Sequence, residues 1–299
     1  MLNQLVHRAM QDNSDMIGMD DMVEKEILHH HLLYLLHREG FLSELTFMGG
    51  TALRLCYNSN RLSENLDFAG GEGFRAEQLK GFAAHMEAYL QKAIGLSVKV
   101  YEPSLDNSDT STWKVTIIKY PERPDLPAQK LHIDICAYPA LDKKFLPVKN
   151  HYPFQSPIAG LPIAVESLPE ILCDKIIAFA YRERRIKPRD VWDLAWLSQK
   201  EITLTKDMLS TKLLLRGKAN DDFLEKILKH AQQVKSNAMT KQDFYKEMGR
   251  FVPPSIVANT LAQPPFWQYI GDVVYNYVES AQTLLNDDKP NPKSPPFKM

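Results

Sequence analysis

Between residues 47 and 71 the chain reads FMGGTALRLCYNSNRLSENLDFAGG. A Gly49-Gly50-Thr51 turn between an apolar strand and a helix presents backbone N–H groups and a hydroxyl to an anion at the helix start, which is the chemistry of phosphate binding. Fourteen positions after Thr51 comes Asn65-Leu66-Asp67. On a strand, residues 65 and 67 share one face while Leu66 and Phe68 face the core, so two oxygen-bearing side chains project toward whatever the turn cradles. A second stretch, Leu131-His132-Ile133-Asp134-Ile135-Cys136, alternates in the same way. A carboxylate set among apolar strand residues is costly to bury unless it is paired or metal-bound, so Asp134 calls for a partner.

A third group lies further on. Lys175 shares a helix with Leu168, Leu172 and Phe179, at spacings that put it on the edge of an apolar face. From 175 to 189 the chain carries Lys175, Arg182, Arg184, Arg185, Lys187 and Arg189 against Glu183 alone, a basic segment able to face phosphates. For Arg184, Arg185 and Lys187 a solvated turn between helices explains the charge equally well. Asp190 and Asp193 share a helix face, and Asp193 sits among Val191, Trp192, Leu194 and Trp196. It acts in the chemistry or ion-pairs with Arg182 or Arg189 to lock two helices together. His132 and Cys136 flank Asp134 and read as a packed histidine and a small buried residue. His29, His30 and His31 are consecutive on a helix, point about 100° apart, and cannot converge on one ion.

The elements that must position these groups follow from periodicity. Met22 to Arg38 is an amphipathic helix ended by Gly40. From 41 to 138 the texture is mixed: FLSELTFM as a strand, TALRLCY as a short helix, NLDFAGG as a strand ending in a glycine loop, 76–94 as a helix, and SVKVYEP, TWKVTIIKY and KLHIDICAYP as strands. Residues 139–162 carry prolines without periodicity and read as a connector. Beyond them the pattern is helical, opening with a Ser167-x-x-Glu170 capping box and continuing through 188–199, 205–215, 220–235, 240–249 and 265–285. The fold class is therefore α/β (α+β), a mixed sheet with flanking helices over 1–162, then a mostly helical domain over 163–285. The polar, proline-rich tail 286–299 is expected to be disordered.

The 299 residues hold 36 basic and 37 acidic side chains, for a net charge of −1, which excludes a uniformly basic nucleic-acid coat and confines any such binding to a local patch. Three scattered cysteines, Cys56, Cys136 and Cys173, make neither a disulfide scaffold nor a cysteine zinc site. No signal peptide and no membrane-length apolar run is present, so the expectation is a cytoplasmic protein with no membrane partner.

A G-G-[ST] turn, a carboxylate pair about a dozen residues on and a later lone aspartate resemble the nucleotidyltransferase fold of the DNA polymerase β superfamily. GGTALRL, then RLSENLDF, then ESLPEILCDKIIAFAYRERRIKPRDVWDLAWL resemble more narrowly the AbiEii/AbiGii family, the nucleotidyltransferase toxins of type IV toxin–antitoxin and phage-abortive systems. These motifs span about residues 20–200. The resemblance implies a magnesium-dependent transferase that adds a nucleotide from a nucleoside triphosphate to an RNA acceptor, in particular a tRNA 3′ end, and a cognate antitoxin protein as partner. It implies that 1–162 is the catalytic core and that the helical domain completes the nucleotide site. By the same resemblance Gly49, Gly50, Thr51 and Ser63 cradle the triphosphate, position 65 with Asp67 and Asp134 binds the metal, and Lys175, Arg182, Arg189, Asp190 and Asp193 serve nucleotide binding and catalysis.

One position departs from the family pattern. Where many members have S-E-D-[LI]-D-F, this chain has Ser63-Glu64-Asn65-Leu66-Asp67-Phe68. A neutral amide oxygen holds magnesium less well than a carboxylate, and Glu64 faces the opposite side of the strand. Two outcomes are open: an active transferase resting on Asp67 and Asp134, or a nucleotide-binding interaction protein with weakened turnover.

Overall fold

The computed structural model describes residues 2–11, 13–104, 109–123 and 125–286. The chain divides into two compact units. The first is the chain up to Ser167 together with Tyr245–Gln263, and the second is Leu168–Phe244 with the chain from Pro264 onward.

The first unit is built on a seven-stranded mixed sheet. Its strands are β1 (Thr46–Met48), β2 (Leu66–Ala69), β3 (Ser97–Tyr101), β4 (Thr110–Ile118), β5 (Gln129–Cys136), β6 (Lys143–Pro147) and β7 (Pro162–Glu166), in the order β3-β4-β5-β2-β1-β7-β6. β2 runs parallel to β5, and β1 parallel to β7, while the other neighbours are antiparallel. Helices α1 (Leu2–Gln11), α2 (Asp20–Arg38), α3 (Gly49–Tyr57) and α4 (Phe82–Ile94) accompany the sheet. Strand alternation buries Phe47, Phe68, Trp113, Val115, Ile133 and Ile135, and Leu28, Leu32, Leu53 and Leu90 of the helices join them in the core.

Several segments differ from the periodicity, among them β7, a strand over Pro162–Glu166 at the start of the stretch expected to be helical. Phe41–Ser43 is a single 3-10 turn after the left-handed Gly40, so the strand expected from residue 41 begins only at Thr46. The helix expected over 76–94 is broken: Ala76–Leu79 forms a 3-10 turn, Gly81 takes φ +83°, and α4 starts at Phe82. The proline-rich connector contains β6, which pairs with β7 and whose Phe145 is 73% exposed. β6 buries no face, so its sequence has no alternation to read.

The consecutive histidines of α2 go to separate partners. His29 Nε2 meets the Glu64 carbonyl oxygen at 3.0 Å, His30 Nδ1 the Ser156 hydroxyl at 2.5 Å, and His31 Nδ1 the Tyr89 hydroxyl at 3.0 Å. Burial pushes His29 and His30 down to about 4. Beside them Glu26 and Arg54 form a buried two-pronged ion pair at 2.9 and 3.3 Å. Burial acts to raise the Glu26 carboxyl, but Arg54 outweighs it and brings it down to about 2.

The second unit is helical: α5 (Leu168–Ala180), α6 (Pro188–Gln199), α7 (Lys206–Leu215), α8 (Asn220–Ser236) and the start of α9 (Ala238–Met248), whose residues from Tyr245 on belong to the first unit. The segment returning to the first unit carries α10 (Pro254–Asn259), and its Phe251 carbonyl accepts from Leu62 N–H at 2.8 Å. α11 (Phe266–Asn286) packs on α8 and α6 of the second unit. Ile176, Phe179, Leu194, Phe223, Ile227 and Val274 fill that core. Glu170 of the expected capping box, buried on α5, pairs with Lys212 of α7 at 2.6 Å, and Lys212 also reaches Asp174 at 3.0 Å. The tail expected to be disordered lies outside the described residues, apart from Asn286, which closes α11. Among the described residues no helix is long and apolar enough to cross a membrane.

Candidate active site

Asp67 and Asp134 are register partners on the parallel strands β2 and β5. Directly paired residues on adjacent strands lie about 4.8 Å apart and point to the same face, so the two carboxylates stand side by side. Both are half-buried, whereas Leu66, Phe68, Ile133 and Ile135 on the other face are buried. The row continues to Met48 of β1 beyond Asp67 and to Thr112 of β4 beyond Asp134. The Thr112 hydroxyl donates to Asp134 Oδ1 at 2.6 Å. That bond fixes the carboxylate and leaves Oδ2 to face a ligand.

The glycine pair belongs to the helix rather than to a turn before it. Gly49 and Gly50 are the first residues of α3, which has no side-chain N-cap. Gly49 takes φ +74°, and a Cβ there would stand 2.6 Å from Asp67 Oδ2. Only glycine lets the helix start lie this close to the carboxylate. A Cβ at Gly50 would collide with the guanidinium of Arg61, a residue 2% exposed that donates to the Leu62 carbonyl at 2.9 Å. Arg61 therefore sets a buried cation under the start of α3, where the helix dipole already favours an anion. The Ser63 hydroxyl lies against the same glycine. Thr51 is buried, and its hydroxyl donates to the carbonyl oxygen of Asn65, tying α3 to the entry of β2. Asn65 itself is half-buried and immediately precedes β2. Glu64 turns away to Lys25 of α2 at 2.9 Å.

Magnesium is commonly held by one or two carboxylates, with substrate phosphates and waters completing its shell. The Asp67–Asp134 pair, backed by Thr112 and approached by a helix start, fits that donor set. Among the described residues no group of three or more His, Cys, Asp or Glu side chains is placed to hold a metal.

The later motif folds together within the helical unit. Lys175 Nζ of α5 lies 2.8 Å from Asp193 Oδ2 and 3.3 Å from Asp190 Oδ1, both on α6. Arg182 binds Asp190 Oδ2 through two nitrogens, at 2.6 and 2.9 Å. Asp193 is fully buried and ion-paired with Lys175 across the two helices. Burial acts to raise the Asp190 carboxyl, but Lys175 and Arg182 prevail and hold it below the usual carboxylate range. Arg189 is half-buried, while Arg184, Arg185 and Lys187 are exposed. Residue-type reasoning missed Thr112 and Arg61. The β4–β5 pairing carried the signal for Thr112, and a lone arginine two residues before Ser63 carried none.

The sequence profile described as "Nucleotidyl transferase AbiEii toxin, Type IV TA system" matches residues 31–271. No curated protein matches the chain. Among solved structures, the chain is similar to MenT4, the nucleotidyltransferase toxin Rv2826c from Mycobacterium tuberculosis H37Rv, with a TM-score of 0.57 at 18% identity over 96% of this chain and 94% of that one. It also aligns with JHP933 from Helicobacter pylori at a TM-score of 0.44 and 16% identity, over 89% of this chain and 92% of the other. The profile covers most of the sequence, including the glycine helix start, the paired strand aspartates and the lysine–aspartate cluster: the chain belongs to the AbiEii family of nucleotidyltransferase toxins of type IV toxin–antitoxin systems.

Proposed function

We propose that this transferase uses magnesium to move a nucleotidyl group from a nucleoside triphosphate to an RNA acceptor, with tRNA 3′ ends as the first candidates. The observation that supports it most is the side-by-side pairing of Asp67 and Asp134 beside the start of α3. Asp67 and Asp134 would hold the cation, and Asn65 would contribute at most an amide oxygen. The chemistry magnesium supplies when bound is charge neutralisation on the phosphates and acidification of the attacking hydroxyl. The first-turn amides of α3, with Arg61 beneath them, hold phosphate oxygens. Thr112 keeps Asp134 oriented, and Thr51 keeps the entry of β2 in place. In the helical unit we assign Lys175, oriented by Asp193 and Asp190, as a phosphate-binding cation, with Arg182 and Arg189 supporting it. The acceptor oxygen forms a bond to the α-phosphorus as the bond to the leaving pyrophosphate breaks. A cognate antitoxin protein is the expected partner, and the cytoplasm the expected location.

Incubation of the purified chain with each labelled nucleoside triphosphate, magnesium and total RNA tests this directly. Label is expected on RNA with the parent and is expected to vanish with Asp67→Ala and with Asp134→Ala. Absence of transfer with all four nucleotides, together with an Asp67→Ala variant indistinguishable from the parent, would overturn it.

A further inference from the structure

The strand register continues the row of Thr112, Asp134 and Asp67 into a surface of a different character. Two residues along β5 from Asp134 comes the row His132, Lys114 and Tyr101; two further comes Lys130, Thr116 and Lys99. Their in-between neighbours Val98, Val115, Leu131 and Ile133 are core, so the three rows share the opposite face. Lys99, Lys114 and Lys130 are exposed, and Tyr101 is 56% exposed. Among the described residues none of the three lysines is ion-paired, and Asp134 is the sole carboxylate that β3, β4 and β5 contribute to this face. Beyond the last row the face opens into a groove of about 600 Å³ whose walls include Lys130, Thr116, Lys119 and the exposed Tyr120.

Successive rows are about 7 Å apart, close to the step of one nucleotide in an extended strand. Lys114 stands in one row, and Lys99 and Lys130 stand at the two ends of the next; cations on neighbouring rows suit phosphates. An aromatic side chain standing among them suits an unstacked base, which an acidic polypeptide lacks and a duplex keeps inside its stack. We propose that the exposed face of β3, β4 and β5 binds the single-stranded 3′ end of the RNA acceptor, with Lys114 and the flanking pair Lys99 and Lys130 of the next row on its phosphates, Tyr101 under a base, and the terminal hydroxyl directed to Asp134. The proposal rests on the assignment of Asp67 and Asp134 as the transfer site.

The test uses the full chain carrying Lys99→Gln, Lys114→Gln and Lys130→Gln together, and separately Tyr101→Ala. Binding of a short fluorescein-labelled single-stranded RNA is followed by anisotropy across a salt series, and nucleoside triphosphate binding is measured in parallel. Three single-strand phosphate contacts, each with a salt slope of about −0.7, account for roughly 100-fold in affinity at 0.1 M salt. The triple variant is expected to lose about that much, and to flatten the slope by about 2, with nucleotide binding unchanged. Tyr101→Ala is expected to weaken RNA binding by roughly 5- to 150-fold at an unchanged slope. A triple variant with the affinity and slope of the parent overturns the acceptor surface while leaving the transfer reading intact, provided the parent still labels RNA. A triple variant that loses only polyglutamate binding, or a parent that transfers nucleotide without binding single-stranded RNA, overturns it as well.

Discussion

Gly49→Ala is the sharpest perturbation that the fold offers. The residue sits at φ +74°, where an L side chain is strained by about 1–2 kcal/mol. Its new methyl would also stand 2.6 Å from Asp67 Oδ2 and 3.1 Å from Asp67 Cγ and Cβ. Backbone strain and the displaced carboxylate together are expected to lower stability by about 2–3 kcal/mol. A double-mutant cycle separates the two. In an Asp67→Ala background the oxygen and Cγ are gone, so the penalty of Gly49→Ala should fall to the backbone strain plus one tight Cβ contact, a coupling of about 1 kcal/mol. Urea unfolding of the four proteins measures it. In the transfer assay, moving Asp67 by the fraction of an ångström needed to admit the methyl is expected to lower the rate by about 100-fold or more. Additive stability losses, or a Gly49→Ala enzyme as active as the parent, would refute the idea that the helix start and the carboxylate are in contact.

Other outcomes follow from the same geometry. Asn65→Asp adds a charged oxygen beside Asp67 and is expected to lower the magnesium concentration for half-maximal transfer by on the order of ten-fold, an effect near 1.4 kcal/mol, read from a magnesium titration. His29 and His30, held neutral by burial down to about 4, take up protons when the chain unfolds below their usual value of 6.5. Each therefore contributes stability that is complete above 6.5 and is lost as pH falls toward 4, at up to about 1.4 kcal/mol per pH unit. His30→Gln should flatten that slope in melts taken across the range. Glu26 adds a later loss, from its usual 4.5 down to about 2. Lys212→Met strands the fully buried Glu170 and is expected to destabilise the chain by about 3–5 kcal/mol, whereas Glu170→Leu with Lys212→Met should recover most of it, as chemical denaturation would show.

What could be read in advance depended on whether burial left a period in the sequence. The alternation of Leu131, Ile133 and Ile135 against His132, Asp134 and Cys136 placed Asp134 on the correct face, because one side of β5 is core. β6 left no such trace, being an edge strand with both faces open, and β1 spans three residues, too few to show a period. Within the site, residue types pointed to Gly49, Gly50 and Asp67 but not to how a side chain spends its hydrogen bonds. Thr51 has the hydroxyl a phosphate would accept from, yet a backbone carbonyl fourteen residues away takes it. Lys175 and Asp193 were both singled out, but their bond crosses from α5 to α6, and only the packing of the two helices says which cation meets which aspartate.

The register of β2 against β5 gives the carboxylate pair an all-or-none character. Sliding β5 by one residue would not widen the separation of Asp67 and Asp134 by a small amount. It would bring Ile133 or Ile135 opposite Asp67 and drive Asp134 into the apolar interior. Intermediate separations therefore have no stable structure to occupy, and the same alternation that seals the core acts as a ruler for the site. Substitutions deep in that core, far from any ligand, should either leave the spacing of the two acids untouched or abolish the pair together with the fold.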